Sequence, residues 1–115
     1  MNSGMSFEII VVDSFEKQIK RLAKKYKSLK EDIKPLLTSL ENNPLQGDYL
    51  GNDCYKIRLG ISSKGKGKRG GSRVIFCVKV INEKVYLLSI YDKSEKENLE
   101  DSELLKLLKI AGILN

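Results

Sequence analysis

Cys54–Ile81 reads CYKIRLGISSKGKGKRGGSRVIFCVKVI, and both of its ends alternate in hydropathy with a period of two. In Cys54–Leu59, Tyr55, Ile57 and Leu59 face one way and Lys56 and Arg58 the other. In Arg73–Ile81, Val74, Phe76, Val78 and Val80 form an apolar face, with Arg73, Ile75, Cys77 and Lys79 opposite. That period marks a strand with one face toward a core. The glycines between Gly60 and Gly71 prevent regular structure. Asn82-Glu83 then turns the chain into Lys84–Tyr91, KVYLLSIY, which predicts a β-hairpin.

Outside this region the pattern is helical, apart from one short strand. Phe7–Val12 (FEIIVV) is apolar and β-branched, and predicts that strand. Asp13-x-x-Glu16 has the pattern of a capping box opening a helix. Phe15, Ile19, Leu22, Ala23 and Tyr26 follow at helical spacing. Ser28-x-x-Glu31 offers a second capping box, with Leu29, Ile33, Leu36, Leu37 and Leu40 on one face. With Ser28 as cap, Pro35 lies past the first turn and removes one backbone bond. With Glu31 or Asp32 as cap it removes none. The spacing predicts a helix over Leu29–Glu41, stopped by Asn42-Asn43-Pro44. A polar loop follows. Ser94–Leu114 reads as a last helix with a polar start. The expected class is α+β, in the order β-α-α-β-β-β-α. An αα-hairpin packs on a small, mainly antiparallel sheet.

Composition narrows the function. The 115 residues are 41% hydrophobic and 31% charged, as in one globular domain spanning residues 1–115. Residues 1–6 are expected to be disordered or an extension, with Met5 an alternative start. The first residues lack the basic start and long apolar stretch of a signal peptide, and no apolar run is long enough for a membrane span. Cys54 and Cys77 read as reduced thiols of a cytoplasmic protein. Histidine is absent. This removes His-based triads and ordinary His metal sites, and two separated Cys are too few for structural zinc. No metal or cofactor is expected.

The charge is local. The chain carries +6, while Asn52–Val80 holds eight Lys/Arg and one acid, leaving the remainder near neutral. Such a patch is the footprint of a polyanion site. Alternation alone puts Lys56, Arg58 and Arg73 on one sheet face, with Tyr91 at a strand end. Burying three unpaired cations is prohibitive, so that face is expected to meet solvent or an anion. Gly60–Gly67 begins like a P-loop, but Gly67 replaces the metal-binding hydroxyl and a strand follows rather than a helix. Ser62–Ser72 reads instead as a mobile basic arm. Lys64, Lys66, Lys68 and Arg69 reach for phosphates, with Lys79 and Lys96 as further RNA contacts. The alternative is a solvated linker. Asp92, Glu95 and Glu97 read as helix-start charges.

DCYKIRL, SRVIFCV and LLSIYDKSEKENL together resemble the RelE/ParE superfamily of toxin–antitoxin toxins. KGKGKRGGSRVIF with SIYDKSEKENL is most similar to its HigB-type branch, and the resemblance runs from about Phe7 to Leu108. It implies a RelE-like fold and a ribosome-dependent mRNA endoribonuclease. The implied partners are mRNA, the ribosome and a cognate antitoxin of acidic or helix-turn-helix type. It also implies catalytic positions at Lys56, Arg58, Arg73 and Lys93. Where RelE-type toxins carry a terminal-helix Tyr, this chain has Leu99, and Tyr91 is the available aromatic hydroxyl. The resemblance leaves two alternatives, a ParE-like gyrase poison and an inactive nucleic-acid-binding relative.

These residues suit metal-free RNA cleavage, in which the 2′-OH is the nucleophile. Guanidinium groups match phosphate bidentately and stay charged, so Arg58 and Arg73 suit the phosphorane. Lys56 as base or Lys93 as acid can serve proton transfer, and Tyr91 can stack on a base or move a proton.

Overall fold

The computed structural model describes residues 6–65, 67 and 70–114. The elements are β1 (Glu8–Val11), α1 (Asp13–Lys25), α2 (Leu29–Asn42), β2 (Asp48–Gly51), β3 (Cys54–Leu59), β4 (Ser72–Lys79), β5 (Lys84–Asp92) and α3 (Asp101–Ile110). A 3-10 turn covers Ser62–Lys64. The fold is α+β as expected, with one strand more than the sequence pattern predicts. No helix among the described residues is long and apolar enough to cross a membrane. The expected N-terminal extension lies, except for Ser6, outside the described residues.

The sheet order is β1-β5-β4-β3-β2. β1 lies parallel to β5, and the other pairs are antiparallel. The two helices carry the chain from one sheet edge to the other. A meander of four strands then walks back to β1. β2 was expected to be loop. It pairs because Asn52 and Asp53 both take positive φ, 53° and 63°. That is the two-residue geometry that closes a tight hairpin.

One sheet face packs on α1 and α2. Phe15, Leu22, Leu29, Ile33 and Leu40 from the helices meet Val74, Phe76, Val78, Leu87 and Ile90. The other face is not open, as the alternation had suggested. α3 covers its lower half, where Leu104 and Leu108 bury Cys54, Ile75, Cys77, Leu88 and Tyr91. Val80 does not join the apolar face. It lies past the end of β4 in the turn, 55% exposed.

The expected capping boxes differ from those observed. Val12 occupies the α1 cap position, and no side chain caps that end. Asp13 and Glu16 still suit the positive N-terminal pole. Ser28 is helical and turns its hydroxyl to the Asp32 carboxylate. Pro35 therefore lies inside α2, past the first turn. The genuine capping box is Glu100 with Glu103 at the start of α3. α3 is shorter than predicted. Asp92 gathers the Ser94, Glu95 and Lys96 amides into a separate turn, and Gly112 at φ 76° ends the helix. The Ile113 and Gly112 amides return to the Leu108 and Lys109 carbonyls, a Schellman closure.

Gly71 is tightly placed. A Cβ there would lie 2.4 Å from the Leu59 carbonyl oxygen, while the Gly71 carbonyl accepts from the Lys93 amide at 3.1 Å. Gly71→Ala is expected to cost roughly 1–3 kcal/mol by forcing β3 and β4 apart. An unchanged urea midpoint would show that the strands give way freely.

Candidate nucleic-acid cleft

The register explains how the cations meet. Arg58 on β3 pairs with Arg73 on β4, which pairs with Tyr91 on β5. Directly opposed residues share a face, so the three form a row across the sheet. Lys56 stands two residues from Arg58 on that face, opposite Asp48 of β2. A cleft of about 1250 Å³ lies at this end of the sheet, and Lys56, Arg58, Arg73 and Lys93 all line it.

Tyr91 reaches the row through a β-bulge. The register between β4 and β5 shifts between Ile75 and Phe76, leaving Leu88 as the extra residue. Without that insertion Tyr91 would share the face of Leu87, toward α1 and α2. With it, Tyr91 joins Arg73.

The cations differ in setting. Arg58 is exposed and Lys56 half-buried. Arg73, expected to meet solvent or an anion, is only 4% exposed. Its Nη1 donates to the Ser72 carbonyl at 3.0 Å. Burial, and then the charge of Arg58, lower the affinity of its guanidinium for its proton, while Tyr91 works the other way. Tyr91 is 5% exposed beneath α3, and its buried hydroxyl has no hydrogen-bond partner among the described residues. Burial pushes its pKa up, against the nearby Arg73 charge. In this conformation Tyr91 packs under α3 and does not line the cleft. Leu99 precedes α3 instead of sitting in it, half-buried against the same cluster.

Three acids share the cleft: Asp32, Asp48 and Glu97. Glu97 and Asn98 were not read as cleft residues, because a helix had been expected there. Glu95 is no helix-start charge either, since it bonds Arg21 and Lys25 at 3.1 Å each. Asp32 is a brace. Its carboxylate accepts from the Ser62 amide and hydroxyl and from the Ser28 hydroxyl. Burial alone would raise its pKa, and these bonds reverse the shift.

Lys64 departs most from expectation. Rather than reaching out from a mobile arm, its side chain is 8% exposed and its ammonium bonds the fully buried Asp92 carboxylate at 2.8 Å. Asp92 also accepts from the Tyr26 hydroxyl at 2.5 Å and from the Ser94 amide and hydroxyl. Burial alone would raise the Asp92 pKa. The bonds from Lys64, Tyr26 and Ser94 outweigh it and hold the carboxyl well below the usual range. The root of the arm is thus bolted to the helix pair and to the end of β5. The expected RNA contacts Lys66, Lys68 and Arg69 lie outside the described residues. Lys79 is at the other end of β4, roughly 20 Å along the strand from Arg73, paired with Asp53 at 3.0 Å. Lys96 is engaged by Glu103. Neither joins the cleft lining.

The family model described as the RelE toxin of the RelE/RelB toxin–antitoxin system matches residues 14–115. Among solved structures, an arginine double mutant of the E. coli toxin RelE in the free state matches with TM-score 0.57 and 21% identity, over 81% of this chain and 90% of that one. The toxin–antitoxin complex RelBE2 from Mycobacterium tuberculosis matches with TM-score 0.53 and 9% identity, over 80% and 97%. The same E. coli mutant bound to a peptide of the antitoxin RelBc matches with TM-score 0.52 and 21% identity, over 89% and 93%. At these identities the likeness is one of fold.

Proposed function

Because this chain belongs to the RelE toxin family of RelE/RelB toxin–antitoxin systems, we propose that it is a cytoplasmic, ribosome-dependent endoribonuclease cutting mRNA through its own 2′-OH. The observation that carries this reading is the convergence of Lys56, Arg58, Arg73 and Lys93 on one cleft. Three of them stand on paired strands, where position is fixed. Arg58 and Arg73 neutralise the pentacoordinate phosphorane. Preorganised charge of this kind acts on the transition state. Lys56 takes the 2′ proton as the oxygen bonds to phosphorus, and Lys93 protonates the 5′ oxygen as the phosphorus–oxygen bond breaks. The products are a 2′,3′-cyclic phosphate and a 5′ hydroxyl. The ribosome supplies the orientation that so small a face lacks.

Within the family, KGKGKRGGSRVIF and SIYDKSEKENL favour the HigB-type branch. The partner is a cognate antitoxin, acidic where it meets the cationic cleft. The complexes of the two related folds, one with an antitoxin and one with an antitoxin peptide, support this. Such a partner can act on the cleft directly or through α3, beneath which Tyr91 is held.

Cleavage should proceed in EDTA on programmed ribosomes. A message carrying 2′-deoxyribose 5′ of the cut should bind and remain intact. Efficient cutting of that message, or strict dependence on Mg²⁺ with ribosomes absent, would overturn the mechanism. In growing cells, induction should stop amino-acid incorporation before DNA synthesis and produce new mRNA 5′ ends. The opposite order, with gyrase-linked breaks, would favour a gyrase poison.

A further inference from the structure

Cys54 on β3 and Cys77 on β4 are register partners. The Val78 amide donates to the Asp53 carbonyl at 2.8 Å, which makes 54 and 77 a non-hydrogen-bonded pair. In such pairs the Cα atoms lie about 4.5 Å apart and the side chains stand close together. That spacing falls within the roughly 4.4–6.8 Å that a disulfide bridges. Both thiols are free and buried. Both also aim at one acceptor. Cys54 Sγ lies 3.3 Å from the Asn52 carbonyl oxygen, and Cys77 Sγ lies 3.8 Å from it.

The pair is chemically asymmetric. The neighbouring Cys54 thiol favours a thiolate on Cys77 despite burial, and the charge of Lys79 adds to this contact's effect. The same contact, with burial, pushes the Cys54 thiol up. A cavity of about 220 Å³ adjoins the shared carbonyl. It is lined by Asn52, Asp53, Lys79, Leu108, Ile113 and Leu114. A water occupies about 30 Å³ of liquid, so an oxidant of that size fits in this space, beside the residue whose carbonyl both thiols approach. Cys54 and Cys77 themselves are fully buried behind it.

We propose that Cys54 and Cys77 form a redox modification site, converted by hydrogen peroxide to an intrachain disulfide. The Cys77 thiolate attacks one peroxide oxygen and the O–O bond breaks. Hydroxide leaves and takes up a proton, and Cys77 becomes a sulfenic acid. The Cys54 sulfur then attacks that sulfur, the S–O bond breaks, and water leaves with the Cys54 proton. Two thiols are oxidised and one peroxide is reduced to two waters. The product staples β3 to β4, the strands that carry Lys56, Arg58 and Arg73. This site stands apart from the proposed ribonuclease activity.

The test uses the full chain with hydrogen peroxide as the only oxidant, read by non-reducing intact mass and peptide mapping. The monomer should lose two hydrogens, yield one cross-linked peptide joining Cys54 to Cys77, resist alkylation, and revert with dithiothreitol. Closing residues 54–77 should raise the thermal midpoint by on the order of 10 °C. In Cys54→Ser, dimedone should trap the sulfenic acid on Cys77. In Cys77→Ser, labelling of Cys54 should be at least about tenfold weaker. Added oxygen without loss of hydrogens, a disulfide-linked dimer, or thiols unchanged at doses that oxidise glutathione would overturn the proposal. Those readings need no variant. Equal dimedone labelling of the two variants would overturn the choice of Cys77 as the attacking sulfur.

Discussion

Arg73→Ala should lower mRNA cleavage on ribosomes by about 10²–10³, the usual loss for one preorganised charge donor. Arg73 is 4% exposed and sits in the centre of the Arg58–Arg73–Tyr91 row. Paired strands flank it on both sides, so its guanidinium has little freedom to lose when a phosphorane forms. Arg73→Lys should recover only a small part of the rate. A point charge on a flexible stem does not reproduce the bidentate fork. Arg58 faces the same phosphorane but is exposed, so Arg58→Ala should lower the cleavage step less than Arg73→Ala does, and should also weaken binding and its salt dependence. Single-turnover cleavage with the variant bound to ribosomes separates these effects. Equal and small losses for both arginines would remove Arg73 from the reacting phosphate.

The largest expected stability effect lies at Asp92. Asp92→Ala should destabilise the fold by about 3–5 kcal/mol, the cost of breaking a buried ion pair. The substitution strands the buried Lys64 ammonium and removes the acceptor of the Tyr26 hydroxyl and of Ser94. Against a total stability of about 5–15 kcal/mol, such a loss is large. Glu95 bonds two cations as well, but on the surface, so Glu95→Ala should cost only about 1 kcal/mol or less. Urea denaturation of the two variants decides the matter, and equal midpoint shifts would refute the distinction.

The same network sets an acid limit. The folded Asp92 carboxyl titrates below its unfolded counterpart, whose value is about 3.9. Its contribution is therefore fully present above that pH and is lost as the pH falls toward the folded value. Asp92→Asn should flatten the fall in stability below about pH 4. Lys64→Ala belongs with these variants and not with the RNA contacts, because its ammonium is committed to Asp92. Its cleavage rate should be compared per folded molecule.

Local pattern was enough for much of this protein. The period of two in Cys54–Leu59 and Arg73–Lys79 depends only on successive side chains pointing to opposite faces. It therefore put Lys56, Arg58 and Arg73 on one face without any knowledge of the fold. Helical spacing likewise located α1 and α2, since one apolar stripe each is all that packing on the sheet requires. The missing histidine and the single basic segment narrowed the chemistry before any contact was known.

Long-range contacts decided the rest. β2 is too short and polar to announce itself, and it exists because β3 offers it an unpaired edge. Lys64 looks like any loop lysine. Only a buried carboxylate from the far end of β5 makes it a structural cation. Asp92 in turn draws the following amides into a turn and delays α3 to Asp101. The bulge at Leu88 reverses the facing of every later residue on β5, and so brings Tyr91 beside Arg73 instead of into the helix-packed core. α3 then closes over that tyrosine. The sequence by itself determined which side chains alternate and where charge accumulates, because those properties belong to neighbours along the chain. Which cations reach the cleft, and which are spent on holding it together, was decided by tertiary structure, because burial and pairing arise between residues far apart in sequence.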